Sequence, residues 1–141
     1  MKILVINGVN LNKLGEREVD IYGNETLEDV EFSLKKEFEK EHKLEFFQSN
    51  IEGELVAEIQ NYKGDVLVIN AGAYSHYSVA LHDALKMKKC LKVEVHISNV
   101  FAREEFRHKS VIAPVCNAYV CGFGTKGYSL AISGALSCIK K

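Results

Sequence analysis

Residues 65–97 read DVLVINAGAYSHYSVALHDALKMKKCLKVEVHI, and the periodicities inside this stretch decide the fold. DVLVIN at 65–70 and LKVEVHI at 91–97 are short runs rich in β-branched residues, while Val79–Met87 between them reads as a helix. A strand, a helix and a second strand of these lengths form a crossover, and right-handed crossovers join parallel neighbours of one sheet. The alternation continues outward on both sides. KILVI at 2–6 and LEFFQSN at 44–50 read as earlier strands, and AYVCGF at 118–123 as a later one. Leu27, Val30, Leu34 and Phe38 trace a helical stripe opened by Thr26-x-x-Asp29, close to a capping box. Val56, Ile59 and Tyr62 trace another, and Tyr128–Ile139 a last one. Five strands and four helices in this order predict a doubly wound parallel sheet of the flavodoxin-like order 2-1-3-4-5, helices on both faces.

The composition fits one domain spanning residues 1–141, with 47% hydrophobic residues for a core. Eighteen Lys and Arg against nineteen Asp and Glu give a net charge of −1, which provides no footprint for nucleic acid or an anionic membrane. The N-terminal MKILVING carries too short an apolar run for a signal peptide, and no run reaches the roughly 18 residues of a spanning helix. A cytoplasmic protein is expected. Cys90, Cys116, Cys121 and Cys138 form no C-x-x-C pair and read as buried small hydrophobes in a reducing compartment, with Cys116 and Cys121 on opposite faces of one strand. No metal site is expected.

In an open parallel sheet of this order, ligands bind beyond the carboxyl ends of the strands, at the switch point between strands 1 and 3. The loops after strands 1, 3 and 4 therefore hold the candidate site. In the fourth strand, Glu94 and His96 alternate with Val93, Val95 and Ile97, so carboxylate and imidazole share a face and the first can orient the second. Arg103 and Arg107 follow four apart, a spacing suited to anion recognition. After strand 3, Asn70 ends the strand, Gly72 permits close backbone approach, and Ser75, His76 and Ser78 stand near the start of the third helix, whose free N–H groups favour polar ligands. The first loop, 7–25, is far longer than a usual connection and reads as a lid with Asn10, Arg17 and Tyr22, and with Gly15 and Gly23 as candidate hinges. It contains neither phosphate-binding glycine motif. Asp83 lies later in the third helix, where an acid is ordinarily solvated; His42 and His108 lie in charged surroundings and His82 has no evident partner, so none of the three is given a catalytic role.

Several blocks together resemble one family. N-G-x-N-L-N-x-L-G-x-R-E at 7–18, I-Y-G at 21–23, Q-S-N-x-E-G at 48–53, N-x-G-A-Y-S-H at 70–76, E-V-H-I-S-N at 94–99, A-R-E-E-F-R-H at 102–108 and G-F-G at 122–124 are similar to type II 3-dehydroquinate dehydratases, from Ile3 to about Leu130. The resemblance implies reversible dehydration of 3-dehydroquinate to 3-dehydroshikimate in the shikimate pathway, without metal, organic cofactor or Schiff base. It implies Tyr22 as the base that forms an enolate and His96 as the acid that protonates the departing hydroxyl. A phenol acts as a base near neutral pH only when cations hold its anion, and a fall from about 10 to about 7 takes roughly 4 kcal/mol. Arg17 and Arg103 match residues that supply that field, Asn10 one that holds a water on the enolate oxygen, and Glu94 the orienter of His96. Asn70, His76 and Arg107 match residues for the substrate hydroxyls, and Ile97 and Ser98 the carboxylate cradle. Asp83 matches a residue that enters a neighbouring subunit's site, in a homododecamer built from trimers. Three prolines common in the family are here Val9, Val19 and Ala71, each loosening the local chain. The competing class is a non-enzymatic flavodoxin-like binding protein. A receiver wants acids after strand 1 and an Asp ending strand 3, where Asn7 and Asn70 stand, and a flavin binder wants a phosphate loop after strand 1.

Overall fold

The computed structural model describes residues 1–139. Its strands are β1 (Lys2–Asn7), β2 (Lys43–Gln48), β3 (Val66–Asn70), β4 (Leu91–His96) and β5 (Ala118–Cys121), all parallel in the order β2-β1-β3-β4-β5. This is the flavodoxin-like order expected from the strand–helix alternation. The helices are α1 (Val19–Tyr22), α2 (Leu27–Phe38), α3 (Glu52–Asn61), α4 (Val79–Lys86) and α5 (Lys126–Ile139).

The period of two along the strands divides the core into two layers. Ile3, Val5, Val66, Val68, Val93 and Val95 point to one face, where Val30 and Leu34 of α2 and Ile132 and Leu136 of α5 cover them. Leu4, Ile6, Leu67 and Ile69 point to the other and meet Leu55 and Ile59 of α3 and Leu81 and Leu85 of α4. A strand buried on both faces ordinarily reads as a continuous apolar run. In β4 the second face is instead Lys92, Glu94 and His96, all buried. Lys92 resolves its own burial by donating from Nζ to the carbonyls of Leu85 and Lys88, closing the C-terminal end of α4. Glu94 and His96 are left to each other and to the segment after β4.

Local chemistry sets most boundaries. Thr26 and Asp29 form a reciprocal capping box at α2, as the sequence predicts. Strand β2 ends at Gln48, where Ser49 turns inward to accept from Ile51 N and donate to Glu54. Strand β5 ends at Cys121 because Gly122 takes φ +96, so the expected extension to residue 123 is not made. Cys116 accordingly precedes the strand rather than lying in it. The cysteines are free, three of them half-buried and Cys138 exposed, so they are less interior than the sequence suggests. Tyr62 is not a helical residue: it caps α3 and lodges its hydroxyl between the carbonyls of Lys2 and Val66, 2.7 Å from each.

Two further departures concern the ligand-facing loops. The first loop is not structureless, since Leu11–Lys13 form a 3-10 turn and Val19–Tyr22 the short helix α1. Leu11 and Leu14 anchor this segment in the core, while Glu18, at φ 33, takes a left-handed conformation just before α1. Ser75 and His76 lie in a separate 3-10 turn, Gly72–His76, and α4 begins only after Ser78. Ser78 itself caps α4 by accepting from Leu81 N, so this helix terminus is satisfied from within the chain. Ala71, one of the positions without its common proline, has φ −75, a value that proline also adopts. Among the described residues no helix is long and apolar enough to cross a membrane.

Candidate active site

The carboxyl ends of β1, β3 and β4 open into a cavity of about 120 Å³ lined by Asn10, Arg17, Tyr22, Asn70, His76, His96, Ile97, Ser98, Arg103 and Arg107 among others. Ten of the twelve candidate residues thus converge at the switch point. Gly8 makes the convergence of β1 and β3 possible, because a Cβ there would stand 2.4 Å from the Ala71 carbonyl oxygen.

The first loop contributes Tyr22, whose hydroxyl is the meeting point of two cations. Arg103 Nη1 donates to it at 2.7 Å and Arg17 Nη2 at 3.2 Å. The Arg17 guanidinium also lies 4.4 Å from the centre of the Tyr22 ring, and that of Arg103 5.3 Å. Both donors come from outside α1, so the tyrosine oxygen is held from two sides in a partly water-excluded place, where charge–dipole interactions strengthen. Arg103 Nη1 reaches Ser98 Oγ as well, at 3.2 Å, joining the lid to the loop after β4. Ile97 and Ser98 present backbone N–H groups that have no hydrogen-bond partner among the described residues.

Opposite stands His96. Its Nε2 lies 2.5 Å from Glu94 Oε2, which leaves Nδ1 as the ring nitrogen without a protein partner. Glu94 is fully buried and does not itself line the cavity. Behind it Ser110 Oγ lies 2.7 Å and 2.9 Å from its two oxygens. His76 stacks on His96 with ring centres 6.0 Å apart and an interplanar angle of 17°. A carbonyl can only accept, so the 2.8 Å contact from His76 Nδ1 to Lys109 O makes Nδ1 the donor and Nε2 the free acceptor of the neutral ring. Burial pushes the His76 pKa below the usual histidine value, with His96 and Arg107 acting in the same sense.

Asn70 is fixed from 58 residues away. Its Nδ2 donates to Tyr128 Oη at 2.9 Å, Tyr128 donates to Asn7 Oδ1 at 2.5 Å, and Asn70 Oδ1 accepts from Gly72 N at 3.2 Å. The second Nδ2 proton remains for the cavity. Asn10 takes φ 69 and is held by its backbone N–H on Asn50 Oδ1, which leaves its side-chain amide unbonded. Arg107 donates from Nε to Glu104 at 2.8 Å, and this bond holds the exposed Glu104 carboxyl below the usual carboxylate range.

Asp83 does not join this group. It lies exposed on α4, outside the cavity. Val9 and Gly72, noted in the sequence for their backbone, also line the cavity, as do Leu11, Ala73 and Val100, which were not singled out. Ser110 and Tyr128 were also missed. Their contacts cross 16 and 121 positions, to Glu94 and Asn7, and leave no local pattern. His42, His82 and His108 stay outside the cavity, as expected.

A polar pocket holding a tyrosine between two arginines and a carboxylate-bound histidine at the switch point of a five-stranded flavodoxin-like sheet is the make-up of a small α/β enzyme. The family model described as Dehydroquinase class II matches residues 1–136. A 3-dehydroquinate dehydratase of Caldicellulosiruptor bescii is 54% identical over 135 residues, covering 93% of each chain. One of Clostridium beijerinckii is 54% identical over 138 residues, covering 94% of this chain and 93% of the relative. The crystal structure of the type II dehydroquinase of Butyrivibrio crossotus superposes with a TM-score of 0.94 at 50% identity, covering 96% of this chain and 97% of that one. The chain belongs to the class II dehydroquinase family, and it is an enzyme of the hydro-lyase type. Membership sets aside the non-enzymatic alternative.

Proposed function

We propose that this enzyme dehydrates 3-dehydroquinate to 3-dehydroshikimate reversibly, as a shikimate-pathway enzyme of the cytoplasm, with Tyr22 as base and His96 as acid. The observation that carries the reading is the Tyr22 hydroxyl held by Arg17 and Arg103 across a cavity from His96. As the base, the Tyr22 oxygen, flanked by two guanidinium donors, takes the C2 proton beside the ketone. The electrons left behind move into the carbonyl, forming an enolate. Asn10, with its free amide, supports a water on the enolate oxygen, and Arg17 supplies positive charge as that oxygen becomes negative. The enolate then reforms the ketone while the C1–oxygen bond breaks. His96 Nδ1 gives its proton to the leaving hydroxyl, which departs as water, and Glu94 stabilises the imidazolium beforehand and keeps the ring oriented. No external oxidant or reductant enters.

Substrate recognition follows from the remaining lining. The unbonded N–H groups of Ile97 and Ser98, with the Ser98 hydroxyl, suit a carboxylate. His76 Nε2 accepts from a substrate hydroxyl, and Asn70 and Arg107 donate to others. Residues 1–141 act as one catalytic domain, assembled as a homododecamer of trimers in which Asp83 serves a neighbour's site. Tyr77, Val79, Phe101 and Phe106 are large apolar side chains exposed on the single chain, the kind that association covers.

Absorbance of the conjugated enone product tests the activity directly, with 3-dehydroquinate as the only added compound. Tyr22→Phe keeps the ring but deletes the base. The variant is expected to retain product binding and to lose about 99% or more of turnover, the scale of a general base. Retention of a large part of the rate would remove Tyr22 from that role.

A further inference from the structure

Glu94 is 0% exposed, and a carboxylate so placed stays ionised only if donors replace the water it has lost. His96 Nε2 is one donor. The other is Ser110, 2.7 Å from Oε1 and 2.9 Å from Oε2, and no further hydrogen bond reaches the carboxylate among the described residues. Ser110 is itself oriented, since its Oγ accepts from Ala113 N at 3.0 Å. With that lone pair engaged, its single proton is available to Glu94.

We propose that Ser110 is a positioning residue for the acid: its hydroxyl, bonded to both oxygens of Glu94, holds that carboxylate in line with His96 Nε2, so that the pocket-facing Nδ1 is presented to the leaving hydroxyl. The proposal rests on the reading of His96 as the acid. A buried carboxylate that loses one of two donors takes up a proton more readily. Once neutral it no longer favours the imidazolium, and the ring loses the cationic form whose Nδ1 proton is acidic enough to transfer.

The other groups around the pair do not replace this charge. Burial lowers the pKa of His76, on the pocket side, so that it favours the neutral ring. Tyr119 of β5, with its ring centre 5.5 Å from that of His96, is pushed up by burial and stays a phenol. Cys116, in the segment before β5, is pushed up to about 12, chiefly by burial, and stays a thiol. Lys92, on the same face of β4, spends its ammonium on the carbonyls of Leu85 and Lys88. Arg107 is cationic and opposes the imidazolium rather than supporting it.

The test compares wild type, Ser110→Ala and Ser110→Thr by nitrogen NMR of the His96 ring, and by the pH profile of dehydration, with His96→Asn as a reference. In Ser110→Ala the His96 midpoint should fall by about one pH unit or more. The alkaline limb of kcat should move the same way, because an acid catalyst is lost above its own pKa. Turnover should drop roughly tenfold with KM little changed, while exchange of the substrate C2 proton survives. Ser110→Thr, which keeps the hydroxyl, should restore midpoint and profile. A Ser110→Ala enzyme with a lower melting temperature but wild-type midpoint and profile would overturn the proposal, leaving Ser110 a structural tie to Ala113. If the midpoint moves but His96→Asn still dehydrates normally, the hold on Glu94 stands and His96 is not the acid.

Discussion

Tyr22 and His96 are each defined by what grips them from behind. Tyr22 answers to two guanidiniums, Arg103 the nearer, whereas His96 answers to a buried carboxylate. His76 stacks between pocket and solvent and is governed by desolvation. Its midpoint in the apoenzyme, followed by ring proton NMR, is expected below the usual histidine value of about 6.5. The sign for stability follows: the folded state prefers the neutral ring, so its contribution is complete above that usual value and is lost as pH falls below it. A midpoint at or above the usual value would mean that His76 is protonated at neutral pH and donates to substrate instead of accepting. The spacing of Glu94 and His96 was legible in the sequence because a strand's two-residue period leaves little freedom. Which ring nitrogen meets the carboxylate was not, since that depends on side-chain rotation.

The lid is the element in which sequence and structure differ most. Its length marked it, but helix α1 is only four residues long and its apolar residues are exposed apart from a half-buried Tyr22, so no helical stripe announces it. It stays in place through Leu11 and Leu14 at one end, Arg103 in the middle and Glu25, which accepts from Thr125 Oγ1 at 2.6 Å, at the other. Tyr22 and Arg17 line the cavity that substrate would enter, and this segment is expected to open to admit it. Limited trypsin digestion is expected to cut the free enzyme at Lys13 or Arg17, and saturating product should slow that cutting several-fold. Equal rates with and without product would show that the segment does not open and close around the ligand. Strand β4 was the opposite case. The expected strand, 91–97, runs Leu91–His96, and the two-residue period places Glu94 and His96 on one face, although Lys92 beside them was not singled out.

At the scale of the whole molecule, the sheet order was legible because strand–helix alternation admits few topologies. The supports of the site were harder to see. Tyr128 on α5 steadies Asn7 and Asn70 at the ends of two different strands, a contact that exists only once the chain has folded. Asp83 is exposed on α4 and outside its own cavity, so a role in binding requires a second subunit. Asp83→Ala should weaken substrate binding, and dissociating and reassembling it with Tyr22→Phe should recover part of the activity, because some sites would then draw Tyr22 and Asp83 from different unaltered chains. No recovery in verified mixed oligomers would confine Asp83 to its own subunit or remove it from binding. The division of labour between Tyr22 and His96 is tested most directly by following His96→Ala in deuterated buffer by proton NMR. Exchange of the C2 proton of 3-dehydroquinate should continue while product formation falls at least roughly 100-fold. Loss of exchange and dehydration together, or dehydration at an undiminished rate, would contradict it.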